Sequence, residues 1–406
     1  MAEDLRPKDA GQVAEVLAWA AAEATTMEVV GGGSKVALGR PMATDYRLDL
    51  SALNGVNLYE PEELVLRAAA STPLGQIRAM LAQQRQQLAF EPPDFGDLYQ
   101  NIREQTIGGV LATNLAGPRR IKAGAARDHF LGVEGVSGRG KAFKSGGRVV
   151  KNVTGYDLCK LMAGSFGTLA ALTEVTVKVL PAAEKVRTVL LFGQDDAAAI
   201  HAMSLAAGSP HEVSGLAHLP GVVAARSSVS YVSGAGTAMT AVRLEGPAPS
   251  VAHRTEALRR QWGVLGAVEE LHGHNSAALW REIANVAPLL PDPAAIIWKL
   301  SVTPSQGADV AAAALAAGGE GYYDWAGGLL WLSIANRDDG GVATVRGALA
   351  GSDAGHATLM RGPDALRESV EVFQPVAPPL AALSARIKDA FDPRRILNPG
   401  RMYRGI

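Results

Sequence analysis

Glycine gathers at three places in the first 170 residues, and that clustering limits what this chain can fold into. The clusters are Gly31–Gly33, Gly108–Gly109, and the pair Gly164 and Gly167. Glycine accepts positive φ and lets a backbone approach a neighbour or ligand with no Cβ in the way. Successive N–H groups in such turns form concavities that attract anions. The first cluster, within "VVGGGSK", fits neither familiar nucleotide fingerprint. A P-loop needs Lys-Ser/Thr directly behind its second motif glycine, whereas Ser34 precedes Lys35 here. A dinucleotide turn needs glycine where Val36 stands. Each cluster alone reads as a tight turn, but together they suit a large ligand gripped at several points.

The pattern around them alternates strand and helix. Val13, Val16, Leu17 and Ala20 recur at helical spacing, and "TMEVV" follows as a buried strand entering the glycine turn. "DYRLDLSALNGV" and "ELVLRAAA" read as strands. Ser71, Thr72 and Pro73 open a helix with the apolar stripe Leu74, Ile77 and Leu81. "LAALTEVTVKVLP" alternates over Thr173–Val179 and stops at Pro181, a strand at the edge of the first domain. From about 185 the chain turns Ala-rich, with strands expected at "RTVLLF", "TAMTAVRLEG", "AIIWKLSV" and "LLWLSI". "AALSARIKDAFDPRRILNPGRMY" gives a short helix closed by Asp-Pro and Asn-Pro-Gly turns.

With 406 residues the chain exceeds one ordinary core, and two to three domains are expected. Lys and Arg number 39 against 40 Asp and Glu, so the net charge of −1 gives no global attraction to nucleic acid or membrane. Locally, nine Lys and Arg between Arg119 and Lys151 face two acids, Asp128 and Glu134. This run could meet pyrophosphate, a carboxylate substrate or an acidic partner. Only Phe130 and Phe143 interrupt it, too few stacking aromatics for nucleic acid. The single cysteine, Cys159, allows no internal disulfide and no thiolate-held iron–sulfur cluster. No basic segment followed by an apolar one opens the chain, and no apolar run is long enough to span a bilayer, so a soluble cytoplasmic protein is expected.

Four blocks carry a resemblance: "VVGGGSK"; "TIGGVLATNLAGPRR" with "RDHFLGV"; "KNVTGYDLCKLMAGSFGTLAALTEVTVKVLP"; and "AFDPRRILNPGRMY". In this order they resemble the FAD-binding E subunit of bacterial glycolate oxidase, in the vanillyl-alcohol-oxidase/PCMH flavoprotein family. The resemblance is dense over residues 28–181, returns at 370–403 and is thin between. It implies an α+β fold: a PCMH-type FAD-binding domain of two subdomains (residues 1–183), a smaller α+β cap (184–355), and a C-terminal segment (356–406) returning to the FAD domain. The family's pyrophosphate loop falls on Gly31, Gly32, Gly33, Ser34 and Lys35. Its second flavin-contacting segment falls on Thr106, Ile107, Gly108, Gly109, Ala112 and Asn114. Its third falls on Gly155, Tyr156, Asp157, Gly164, Ser165, Gly167, Thr168, Leu169 and Thr173. One departure is Ala170, where the family usually has glycine. Some relatives tether flavin through a histidine or cysteine in the first loop; residues 30–40 contain neither, so non-covalent FAD is expected.

Oxidation of a 2-hydroxy acid needs a base for the hydroxyl proton and a cation for the carboxylate. His272 and His274 form an H-x-H pair, which on a strand could ligate a metal. Between Gly273 and Asn275 it reads instead as a surface loop, and no metal is expected there. His129 lies in a flavin-lining block but reads as a packed core histidine. No catalytic residue is assigned. The resemblance implies a complex in which a catalytic flavoprotein D subunit and an iron–sulfur F subunit accompany this chain. Any membrane association would then run through those partners. Glycolate or a related 2-hydroxy acid is the implied substrate. A self-sufficient FAD-linked oxidase and a flavin-binding scaffold are the alternatives.

Overall fold

The computed structural model describes residues 3–147, 155–335, 339–350 and 355–406. A small parallel sheet opens the chain, with β1 (Glu3–Leu5), β2 (Met27–Val30) and β3 (Tyr46–Asp49) in the order β1-β3-β2. Helix α1 (Ala10–Glu23) joins β1 to β2 and buries Val13, Leu17 and Ala20. Asp9 caps it by accepting from the Gln12 N–H at 2.8 Å.

A five-stranded antiparallel sheet follows. It contains β4 (Val56–Glu60), β5 (Val65–Ala69), β7 (Phe130–Ser137), β8 (Ala142–Gly146) and β9 (Ala170–Lys178), in the order β4-β5-β9-β7-β8. The strand expected around Thr173–Val179 is therefore its central member. Its chain continues into β10 (Leu180–Pro181), which pairs with β6 (Gln86–Gln87). Helix α2 (Leu74–Gln83) buries Leu74, Ile77 and Leu81 as its spacing predicts.

The second region is one eight-stranded antiparallel sheet. Its strands are β11 (Lys185–Phe192), β12 (Gly215–Leu219), β13 (Met239–Gly246), β14 (Val268–His272), β15 (Ile296–Ser301), β16 (Glu320–Asp324), β17 (Leu329–Ile334) and β18 (His356–Arg361). They run in the order β14-β11-β13-β12-β16-β17-β15-β18. Strand side chains alternate between faces. Val189, Leu191, Val242, Leu244, Trp298 and Leu300 turn to one core, which holds Ala202, Met203, Leu258 and Val310 of the helices that cover that face. Leu190, Ala217, Ala241, Ile297 and Trp331 turn to the other, in one cluster with Phe90, Phe95, Leu98 and Val133 of the first region.

The expected division at 355 precedes β18, which is paired with β15 from Ile297 to Ser301. The sheet thus continues to Arg361, and the return to the first region comes after it. The returning segment is secured beside β2. The Met27 N–H donates to Ile396 O (2.7 Å), and the Asn398 N–H donates back to Met27 O (2.9 Å).

Charged side chains clamp the two regions. Arg243 holds Glu91 through both guanidinium nitrogens, at 2.8 and 2.9 Å, and Arg119 binds Glu245 at 2.7 Å. Burial opposes ionisation of Glu245, but Arg243 and Arg119 outweigh it and hold its carboxyl at about 2. The basic run is therefore not one patch: Arg119 spans Glu91 and Glu245, Lys144 pairs with Glu134, and Arg148 and Lys151 lie outside the described residues.

Candidate functional site

Strand β2 delivers the chain into Gly31–Gly33, which lies against the segment 103–106. A Cβ at Gly32 would overlap the Glu104 carbonyl oxygen, and one at Gly31 would stand 2.9 Å from Thr106 Oγ1. Gly33 has φ +74°. The absent side chains therefore admit a neighbouring strand of protein, and the loop's outer edge is left facing a cavity.

That neighbouring segment leads into helix α3 (Ile107–Thr113). Thr106 caps it, its hydroxyl accepting from the Gly109 N–H at 3.3 Å. The Gly108 N–H donates to Ala70 O at 2.7 Å, and a Cβ at Gly108 would meet the same oxygen at 2.7 Å. Glycine at 108 thus seats α3 against the end of β5. The third glycine block wraps the far end of this helix, with the Gly164 N–H donating to Leu111 O (3.3 Å) and the Phe166 N–H to Ala112 O (2.8 Å). Asn398 closes the arrangement, accepting from the Val29 N–H at 2.8 Å and donating to Phe166 O at 2.7 Å.

These contacts bring the three glycine clusters around one cavity that opens to solvent. Gly31, Gly32, Gly33, Ser34, Lys35, Thr106, Gly108, Gly109, Ala112 and Gly167 line it. Ile107 and Leu169 point into the core, Thr168 donates to Ser165 O, and the Ala70 N–H donates to Thr173 O; these shape the wall from behind. Asn114 ends α3 with φ +52° and accepts from the Arg127 N–H, again without facing the cavity. Gly155, Tyr156 and Asp157 stand apart from it on the surface, where Asp157 caps a short helix over Leu158–Met162. Sequence reasoning assigned no contact to Leu50, Ser71, Thr113, Phe166, Ala170, Asn398 and Arg401, all of which line the cavity. Asn398 and Arg401 do lie in the quoted "RRILNPGRMY" block, which was the available signal.

A second recess continues from the first across Val30, Gly31, Gly32, Ser71 and Thr106. It is polar, with Arg6, Arg47 and Arg103 set among Asp4, Asp49 and Glu104.

Like Arg401, Lys35 is a buried cation of the main cavity. Its ammonium lies 3.3 Å from Ser34 Oγ and 3.2 Å from Gln105 Oε1. Burial lowers its pKa to about 8, with Asp94 raising it and Arg401 lowering it by smaller amounts. The Gln105 side-chain nitrogen behind it has no partner among the described residues. Arg401 donates to Lys35 O at 2.8 Å, which spends part of its guanidinium on the loop. A cavity with glycine backbone on one wall, a buried ammonium, and Val29, Phe166 and Leu172 on another suits an elongated anion with an aromatic portion.

The histidines stand elsewhere. His129 is buried against Phe90, and its Nε2 lies 2.8 Å from Ala123 O. His272 ends β14 and His274 lies in the first turn of the helix Gly273–Ala284, so the pair occupies a strand-to-helix junction rather than a loop. His272 contacts Arg187 and Glu270. No group of three or more His, Cys, Asp or Glu with metal-holding geometry occurs among the described residues. None of the described residues forms a helix long and apolar enough to cross a membrane.

Comparison with known proteins agrees with this geometry. Residues 3–146 match the family described as FAD binding domain. The chain is 34% identical over 388 residues to glycolate oxidase subunit GlcE of Escherichia coli strain K12, covering 95% of this chain and 94% of that protein. It is 41% identical over 111 residues to glycolate oxidase subunit GlcD of Bacillus subtilis strain 168, covering 27% of this chain and 23% of that one. Substrate-bound p-cresol methylhydroxylase shares the fold with a TM-score of 0.73 at 14% identity, covering 98% of this chain and 88% of the other.

Proposed function

Because the chain belongs to the FAD-binding flavoprotein family of glycolate oxidase subunit GlcE, we propose that it is the FAD-carrying subunit of a multi-subunit oxidase of glycolate or a related 2-hydroxy acid. FAD is its cofactor. The observation that carries the reading is similarity along nearly the whole of both chains, joined to the convergence of three glycine clusters on one cavity.

The residues present fit FAD. Gly31–Lys35, Thr106, Gly108 and Gly109 would hold its pyrophosphate portion, while Ala112, Phe166, Gly167 and Ala170 would bound the rest. Ala170 puts one methyl on that wall where the family resemblance implies glycine. Neither histidine nor cysteine is among the lining residues, which supports non-covalent attachment. When bound, FAD supplies the electron acceptor for oxidation of a carbon–hydrogen bond. The chain's own part is to orient it, to offer backbone donors, and to place the Lys35 charge in a poorly hydrated cavity. With one cysteine the chain has no iron–sulfur relay, so electrons would leave through another subunit.

Lys35 makes the cofactor grip pH-dependent. Its folded pKa of about 8 lies below the ordinary lysine value of 10.5. The FAD-free fold therefore binds fewer protons than the unfolded chain between those values, and the Lys35 contribution to its stability rises with pH there. FAD affinity runs the other way, because deprotonation removes a cation that attracts the pyrophosphate. A bound dianion holds the proton more tightly and moves the transition above pH 8. Titration of apoprotein with FAD should show affinity falling roughly tenfold from pH 7.5 to 10. Lys35→Met should bind more weakly at pH 7.5 and lack most of that dependence; an unchanged profile would remove Lys35 from the site.

The direct functional test is turnover of glycolate with a dye acceptor. FAD-loaded chain alone should be inactive, and activity should appear when a GlcD-type flavoprotein and an iron–sulfur subunit are added. Catalytic turnover by the isolated chain would favour the self-sufficient oxidase instead.

A further inference from the structure

The helix Pro378–Phe391 is attached to the rest of the chain mainly through its last turns. Of its 14 described residues only Lys388 is buried. Ile387 and Phe391 pack partly against the core, and the Phe391 ring lies 6.0 Å from that of Phe143. From Pro375 to Leu383 the chain has no polar side chain, and all of these residues but Ala381 are exposed. Leu380 is 57% exposed and Leu383 43%. A contiguous apolar stretch of this kind on a protein surface marks an interaction site.

Both ends of the stretch are fixed to the back of the main cavity. Before it, the Phe373 ring stands edge-on to Phe166, a cavity-lining residue, with centroids 5.0 Å apart. The Tyr403 hydroxyl donates to Gln374 O at 3.0 Å, and Arg346 donates to Phe373 O at 2.9 Å. After it, Lys388 donates to Thr168 O at 2.6 Å, beside Gly167 of the cavity wall. The exposed stretch thus belongs to a helix that backs onto the wall of the cofactor cavity, and its anchors hold it ready for a partner.

The charges near it select the kind of partner. No acid occurs between Glu371 and Asp389. Arg386 follows Leu383 by three residues and so neighbours it on the helix surface. Neither Arg386 nor Arg394 makes a side-chain hydrogen bond or ion pair with the described residues. Arg139, from the basic run of the first region, donates to Ala390 O (2.8 Å) and Asp389 O (3.1 Å), which brings its charge to the helix end. Asp389 is engaged by Arg395 at 2.7 Å, and the buried Lys388 is matched by Asp392. Arg139, Arg386 and Arg394 therefore have no carboxylate partner among the described residues. A second copy of this chain would bring the same arginines and no free acid to meet them, so the surface does not complement itself.

We propose that Leu380, Leu383 and Arg386 form the docking surface for the electron-accepting subunit, an iron–sulfur protein whose contact patch is apolar with an acidic rim. The identity of this partner rests on the functional reading above. A chain with one cysteine holds no thiolate cluster, so electrons from its flavin need a carrier on another chain. A cluster held by cysteine thiolates is anionic overall, which suits a surface with unpaired arginines, and the surface lies behind the cavity that the electrons must leave.

The test is sedimentation of the FAD-loaded chain with the iron–sulfur subunit and, separately, with the GlcD-type flavoprotein of the same complex. Wild-type chain should bind the iron–sulfur subunit, with affinity falling as salt is raised. The double variant Leu380→Glu with Leu383→Glu should weaken that binding about tenfold or more, with flavin content and thermal midpoint unchanged. Arg386→Glu, which leaves the apolar stretch intact, should weaken it too and reduce the salt dependence. Unchanged affinity in both variants, with the iron–sulfur subunit still bound, would overturn the surface and leave the functional reading standing. Loss of binding to the GlcD-type flavoprotein alone, or a wild-type homodimer that the double variant disrupts, would overturn the choice of partner. Binding of neither subunit by wild-type chain would remove the functional reading and this partner with it.

Discussion

Gly32→Val is expected to purify colourless. The backbone at Gly32 lies so close to the segment before helix α3 that any Cβ would overlap the Glu104 carbonyl oxygen. The next obstacle is the Thr106 methyl at 3.1 Å, so the same segment crowds the Cβ from two atoms. A backbone carbonyl cannot swing aside as a flexible side chain would. The loop must instead move outward, into the cavity that its own edge and Thr106 line. Overpacking of this kind costs about 1–3 kcal/mol where the structure can relax, and the relaxation here displaces the cofactor wall itself. Flavin absorbance per chain should fall by about tenfold or more, with only a modest loss of thermal stability. Gly32→Ala should lose flavin to a smaller degree. Full flavin content in Gly32→Val would show that this loop does not hold the cofactor.

Lys388→Met should be the most destabilising single change in the C-terminal segment. Lys388 lies in the helix Pro378–Phe391, and it and Asp392 are both fully buried, with the ammonium 2.7 Å from a carboxylate oxygen. The same ammonium donates to Thr168 O (2.6 Å) and Leu397 O (2.9 Å). Asp392 accepts from the N–H groups of Ile396 (3.1 Å) and Leu397 (2.8 Å). Removing the ammonium leaves a buried carboxylate without its cation, a loss of about 3–5 kcal/mol. Against a total stability of about 5–15 kcal/mol that is a large fraction. The consequence reaches the cavity, because Gly167 and Asn398 line it and flank the residues this pair holds. Urea unfolding should show the loss, and amide exchange should accelerate first at 396–398. Replacing both partners, as Lys388→Met with Asp392→Leu, should recover part of it. An unchanged midpoint in Lys388→Met would mean the pair contributes little.

Much of the cavity lining was legible because its glycine clusters are local sequence features, even though the contacts that bring them together are long-range. The glycine blocks announce turns whatever the rest of the chain does, and their order matched a family. The wall supplied by Asn398 and Arg401 was not assigned, since nothing local shows that a segment nearly 370 residues later lies beside β2. The glycines at positions 31, 32 and 108 also admit neighbouring protein backbone and side chains, a second use that their clustering alone does not show. In the second region, "RTVLLF", "TAMTAVRLEG", "AIIWKLSV" and "LLWLSI" were legible as strands, but β12, β14, β16 and β18 were not. β12, "GLAHL", is buried along its whole length, so no polar residue marks alternate positions except His218. β14, "VEELH", carries two adjacent glutamates and reads as solvent-facing chain. The boundary set before β18 followed from missing that strand.

The most direct test of the account is a crystal structure of the FAD-loaded chain. The account predicts one FAD per chain, released intact by acid precipitation, with its pyrophosphate against Gly31–Gly33 and Gly108–Gly109 and its remainder beside Phe166 and Gly167. FAD bound elsewhere, or a covalent bond to any side chain, would contradict it.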